Sequence, residues 1–249
     1  LGDETIAVVF FLDVGLERCQ QMFADLNRHA IRPSKSLGVL YDHRDDIGKL
    51  TKLIILRSAF FNDLVDKEHS TLSLKSRKLF TLSAIYNATR SFLENLDDIP
   101  DFQEVVLAAE FWETVAQQFP EWELVRQRKM LASEVRKDFI HSHGIALQAI
   151  GRLGNALIKA RPLEWQKDLV RLKDVDWSRS NAGLWEGRAM LGGRVSKATN
   201  NIVLTTNVLK QQLQIPLAED EQRIEDAFLR GENGRGNKRG QVGLRRARA

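Results

Sequence analysis

The sequence predicts a mainly α-helical protein with a small α/β portion at its N-terminal end. Three observations predict it. An unalternating apolar run, Ile6–Leu12, is the one clear strand signal, of the kind buried on both faces. Beyond it, apolar residues recur at steps of three and four across most of the chain, the period of a helix face. Prolines fall between those periodic stretches and not inside them.

In order, the run Ile6–Leu12 leads into a helix whose stripe is Leu16, Cys19, Phe23, Leu26 and Ala30. The stretch Asp46–Arg57 repeats Ile47, Leu50 and Ile54, with Phe60 or Phe61 beyond, and Asp45 or Asp46 suits its N-cap. Ser76–Leu96 carries Leu79, Leu82, Ile85 or Tyr86, Thr89 and Leu93. Pro100 interrupts the chain, and Asp101 is placed to cap a helix through Phe102, Val105, Ala109, Trp112 and Val115 that ends before Pro120. Ser142–Ala160 supplies Ile145, Ile150, Leu153 and Leu157, with Ser142 as its expected cap. Pro162 suits the first turn of a short helix reaching Arg171. Residues 173–196 read as loop, a core helix runs from about Ser196 to Leu213, and a more densely charged one covers Leu217–Arg230.

Composition narrows the class. Hydrophobic content of 43% with 28% charged residues is that of a globular domain able to bury a core. Cys19 is the single cysteine, which excludes an internal disulfide, and its place on an apolar stripe makes it a core residue. No apolar run reaches the roughly 18–20 residues of a membrane span, so no membrane partner is expected and the cytoplasm is the default compartment. The formal charge is +4, yet Arg235, Lys238, Arg239, Arg245, Arg246 and Arg248 bring +6 with no acid after them, leaving −2 for the first 234 residues. The basic signature therefore belongs to a Gly/Arg-rich tail, residues 231–249, expected to be disordered. Such a tail suits phosphates without sequence choice, or acts as a solubilising extension.

Two segments carry candidate chemistry. Asn27, Arg28, His29, Arg32, Lys35 and Ser36 cluster where the first helix ends. Cations with a small hydroxyl suit phosphate oxygens there, while the same cations would also complement a helix C-terminus. Trp185–Asn201, WEGRAMLGGRVSKATNN, places Gly187, Gly192 and Gly193 beside Arg188, Arg194 and Lys197, ahead of a helix start. Glycines let the backbone approach a ligand closely and a helix start favours an anion, although glycines serve tight loop packing equally well. The phosphate-contact candidates are thus Asn27, Arg28, Arg32, Lys35, Ser36, Arg188, Arg194 and Lys197.

Other chemistry is weakly supported. YDHRDD, Tyr41–Asp46, has metal-ligating residue types, but a site needs ligands from other elements as well. His141 and His143 lie in a helical context where residues two apart do not share a face. The sequence has no P-loop, no nucleophile elbow, no H-E-x-x-H, no C-x-x-C and no dinucleotide fingerprint. No catalytic set, metal or cofactor is assigned. Trp112, Trp122, Trp165, Trp177 and Trp185 read as core and not as base-stacking platforms.

FADLNRHA followed by RPSKSLGVLYDHRDD resembles the core of the DNA sulfur modification family DndB and the wider DGQHR-signature group. A second match in the right order, WEGRAMLGGRVSKATNNIVLTTNVLKQQLQIPL (Trp185–Leu217), resembles the C-terminal region of that family. The resemblance covers nearly all of the chain except the tail. It implies a DGQHR signature just upstream, which these residues do not include. With no methionine at position 1, the expectation is an N-terminally truncated fragment. It also implies a ParB-like α/β portion (residues 1–40), followed by a helical DndB-type domain (41–230) and the tail. The function implied is an accessory or regulatory protein of bacterial DNA phosphorothioation, not itself the sulfur-transferring enzyme. It would bind DNA in transcriptional control of the modification genes, with DNA and other sulfur-modification proteins as partners, and a homo-oligomer is compatible. Two alternatives stand beside it: a nucleotide hydrolase or nuclease completed by the signature, and a helical scaffold for the modification enzymes.

Overall fold

In the computed structural model, residues 33–96, 101–196 and 198–231 are described. The expected strand Ile6–Leu12, the first helix with Cys19, and most of the tail lie outside them. From Ser34 the chain forms one unit. Its opening helices are set by short polar caps. Ser34 accepts from the Leu37 amide (3.1 Å) to start α1, Lys35–Tyr41, and Asp45 accepts from the Gly48 amide (3.1 Å) to start α2, Asp46–Arg57. Ser58 ends α2 and caps α3, Ala59–Leu64. The chain then makes a two-residue strand, β1 (Val65–Asp66), paired in parallel with β2 (Phe80–Thr81). Thr81 caps α4, Leu82–Leu93, through the Ala84 amide (3.2 Å).

The remaining helices are α5 (Asp101–Ala116), α6 (Pro120–Arg126), α7 (Ala132–Asp138), α8 (Gly144–Ala160) and α9 (Trp165–Leu169), the last running into a 3-10 turn, Val170–Asp174. Then come α10 (Ala182–Trp185), an antiparallel hairpin of β3 (Met190–Leu191) and β4 (Arg194–Val195), α11 (Thr199–Gln212) and α12 (Glu219–Leu229). The mainly helical expectation holds, with strands among the described residues confined to two-residue pairs. Five short helices, α1, α3, α6, α7 and α10, depart from the expectation, because four to seven residues are too few to display a period. Two caps differ from expectation. His143, not Ser142, precedes α8, and Pro162 sits in a turn ahead of α9.

The centre is α8, packed between α4 and α11. Two glycines on α8 set the approach. A Cβ at Gly151 would lie 2.2 Å from the Ala88 carbonyl oxygen of α4, and one at Gly154 would lie 2.3 Å from the Phe111 ring. No side chain fits at either position. Beside this helix stack runs an aromatic core, with Phe92 stacked on Phe111 (4.0 Å between centroids) and Phe80 edge-on to Trp122 (4.7 Å). All five tryptophans are buried, as their spread along the sequence suggests. The indole N–H groups of Trp112, Trp177 and Trp185 donate to Thr89 Oγ1, the Leu172 carbonyl and the Asp176 carbonyl.

Candidate nucleic-acid interface

The glycine-rich segment is built by local chemistry before any ligand is considered. Asn181 caps α10 through the Leu184 amide (3.1 Å) and donates to Asp176. Gly192 and Gly193 both have positive φ, +57° and +72°, which is the turn a two-residue hairpin between β3 and β4 needs. Their amides point at an anion already within the chain, the Glu186 carboxylate, with Gly193 at 3.2 Å. Arg179 ties the turn down, donating to the Gly193 carbonyl (3.0 Å) and to the Arg136 and Lys137 carbonyls at the end of α7. Gly187, at φ +77°, lies against Phe228, where a Cβ would meet the ring at 2.6 Å. These glycines serve close packing and a tight turn, one of the two readings their spacing leaves open.

The cations of this segment divide sharply. Arg188 is directed inward, with a bidentate pair to Glu225 at 2.6 and 2.9 Å, a bond to the Leu204 carbonyl (3.2 Å) and its guanidinium 4.4 Å from the Phe228 ring centroid. Burial alone would raise the Glu225 carboxyl, but hydrogen bonds from Arg188 and Asn207 outweigh it and hold it below the ordinary range. A second buried pair lies alongside, where Lys210 donates to both oxygens of Glu221 (2.7 and 2.6 Å). Sequence reasoning missed these acids because they lie on α12, where charges are dense and nothing local marks one acid as buried. Arg194, by contrast, is exposed on β4 without an ion-pair partner among the described residues, and Lys197 lies outside them.

Next to the hairpin is a groove of about 640 Å³, lined by Gly187, Leu191, Thr199, Asn200, Leu204 and Phe228. It opens at the start of α11. Ser196 does not start that helix; its hydroxyl accepts from the Ala198 amide (3.2 Å) and donates to Asn201 (3.0 Å). Gly231 also lines the groove, so the chain leaves the described body at its rim, and the sequence beyond carries the six tail cations.

The other predicted cluster falls partly outside the described residues. Asn27, Arg28 and Arg32 lie outside the described residues. Lys35 is exposed on α1, which packs on α4 and α2. Ser36 is fully buried. Its hydroxyl donates to the His69 carbonyl (2.8 Å) and accepts from the Ser83 amide (3.3 Å), which closes it to phosphate. Arg188 is closed in the same way by Glu225.

The histidines and acids set aside earlier are accounted for structurally. His141 is buried between Phe119 and Phe139 and accepts from the Trp122 indole at Nδ1 (2.9 Å), so neutral His141 carries its proton on Nε2, 3.6 Å from Glu121. Burial lowers its pKa, while Glu121 opposes that. His143 turns instead to the Arg136 carbonyl (2.7 Å), and burial pushes its pKa down to about 4. In the Tyr41–Asp46 segment, Asp42 accepts from the Arg44 amide, Asp45 caps α2 and Asp46 pairs with Lys49. Among the described residues no group of three or more histidine, cysteine or acidic side chains converges to hold a metal. No helix among them is long and apolar enough to cross a membrane.

A family model described as "DndB: DNA-sulfur modification-associated" matches residues 1–216. Comparison with curated proteins and with solved structures finds no match.

Proposed function

The chain belongs to the DndB family of DNA-sulfur-modification-associated proteins, and from that premise we propose that it is a DNA-binding accessory of the modification system that regulates the modification genes. The observation that carries the reading is a juxtaposition. Leu191, the start of α11 and Gly231, at the root of a tail with six cations, line one groove, and the exposed cation Arg194 is the hairpin partner of Leu191. Such a surface attracts phosphates through charge and tracks a backbone without reading bases. The reading puts the protein in the cytoplasm, beside the DNA.

Salt-dependent duplex binding tests it. The whole chain, a variant ending at Arg230 and Arg194→Ala are compared across a range of salt. Each phosphate contact removed flattens the slope of log K against log salt by about 0.9. The variant ending at Arg230 is expected to flatten it by several such steps and Arg194→Ala by about one. Affinity that is indifferent both to salt and to these changes would sink the reading.

One observation favours a second role. Residues 1–230, the body without its tail, carry a formal charge of −1, which gives little general attraction to DNA. A body docking on other modification proteins while the tail holds DNA fits that balance. Co-purification of the tail-less variant with those proteins checks it.

A further inference from the structure

Between α4 and α8, on the side bordered by the first turn of α2, lies a second cleft of about 260 Å³. Its chemistry is unlike that of the groove beside the hairpin. The Gly151 contact presses the α8 backbone onto α4, and this places Gln148 and Arg152, one turn apart on α8, opposite Arg90 and Ser91 of α4. Gln148 Nε2 donates to Ser91 Oγ (3.3 Å), which leaves the serine hydroxyl proton to donate in turn. The Arg90 guanidinium rests 5.9 Å from the Tyr86 ring centroid with its charge at the cleft. Arg152 is the telling residue. Its Nε–H is buried without a hydrogen-bond partner among the described residues. The Glu94 carbonyl after the end of α4 is already taken by Asn155 Nδ2 (2.8 Å) and Lys159 Nζ (3.0 Å). Neither arginine has an ion pair among the described residues, although the Glu94 side chain lines the same cleft.

A buried guanidinium N–H left unpaired costs about 1–3 kcal/mol, more for a charged group, so native proteins rarely keep one without an anion or other acceptor for it. Two arginines and a serine hydroxyl lining one small concavity offer the donors that the tetrahedral oxygens of a phosphoryl group accept. We propose that the Arg90–Arg152 cleft is a binding site for a single phosphate group, with Ser91 as a third donor and Ile47 as the apolar wall against which the rest of the ligand lies. The inference does not rest on the DNA reading, since the cleft lies on other elements than the hairpin and the tail.

The test uses the whole chain with ¹⁵N-labelled arginine. The Arg152 Nε–H resonance is followed at constant ionic strength during titration with inorganic phosphate, with adenosine monophosphate and with a short duplex, alongside calorimetry. A saturable shift of that resonance is expected, weakened about tenfold or more in Arg90→Ala, a loss of about 1.4 kcal/mol. Calorimetric binding of the same ligand is lost in Arg152→Gln. Glu94→Gln, which removes the competing carboxylate, tightens binding, and Arg194→Ala leaves it unchanged. Saturation by the mononucleotide ahead of the duplex assigns the phosphate to a free monoester, and the reverse order assigns it to a DNA backbone. Absence of a saturable shift with all three ligands, or a shift equally strong in Arg90→Ala, overturns the proposal.

Discussion

Replacing Arg188 by alanine separates two roles that its sequence context leaves open. In the folded chain the Arg188 side chain is 11% exposed and Glu225 3%, with both guanidinium nitrogens on the carboxylate. Truncating the arginine leaves a buried carboxylate held by the neutral donors Asn207 (3.0 Å) and Gln211, and it also removes a donor to the Leu204 carbonyl. Losing one partner of such a pair costs about 3–5 kcal/mol, a large share of the 5–15 kcal/mol that holds a domain folded. Denaturant unfolding measures it, and pH supplies an internal control. Glu225 has a folded pKa below its unfolded one, so its contribution is present above the unfolded value and is lost as pH falls through the folded value. In Arg188→Ala burial dominates and raises that carboxyl, so the penalty is greatest above the raised value and shrinks as pH falls from there toward the ordinary carboxylate range, where Glu225 takes up a proton. The gap between wild type and variant should therefore narrow in acid. The double variant Arg188→Met with Glu225→Leu should recover most of the loss, since a well-packed apolar replacement of a buried pair is often neutral or stabilising. A loss of stability under about 0.5 kcal/mol, together with weakened DNA binding and a flatter salt slope, would refute this and restore Arg188 as a phosphate contact.

The same folded body supports further outcomes. Gly151→Ala should destabilise by about 1–3 kcal/mol or more, because its Cβ meets the Ala88 carbonyl at 2.2 Å; thermal unfolding reads it. Gly193→Val, at φ +72°, should cost about 1–3 kcal/mol and loosen the hairpin, seen as faster amide exchange at residues 190–195. His141→Phe removes the acceptor of the buried Trp122 indole and should cost about 1–3 kcal/mol, with a shift in tryptophan fluorescence. His143 has a folded pKa of about 4, below its unfolded value, so the unfolded chain binds the extra proton between about pH 4 and 6.5. Stability should fall as pH drops through that window, by at most about 3 kcal/mol, and His143→Gln should flatten that part of the profile.

The long helices were legible because their signal is repetitive. Over α2, α4, α5, α8 and α11 an apolar stripe recurs often enough to outvote single residues, and Asp45 announces the start of α2 by a rule that acts over three residues. The short helices had no such redundancy. The start of α8 was misread for a related reason. Ser142 is a good cap in isolation, but its hydroxyl is buried without a partner and His143 takes the cap position, turned toward Arg136 by a contact seven residues back. A cap rule knows the next three residues and nothing of the helix packed behind them.

The candidate site shows a harder limit of the same kind. Arg188 and Arg194 lie six residues apart, each beside a glycine, and on sequence they are equivalent candidates. What divides them is Glu225, thirty-seven residues downstream on a helix whose dense charges single out no one acid. Ser36 is removed from the candidates by His69 and Ser83, again across a long separation. Sequence supplies the chemical type of a side chain, while availability is decided by whether tertiary packing delivers a partner to it. The converse holds in the second cleft. Arg90 and Arg152 belong to no motif and lie sixty-two residues apart, yet the close contact at Gly151 brings their helices together and leaves a buried donor unpaired. A cation becomes a credible ligand contact here through what the fold fails to pair with it, and the same packing rule that disqualifies Arg188 selects Arg152.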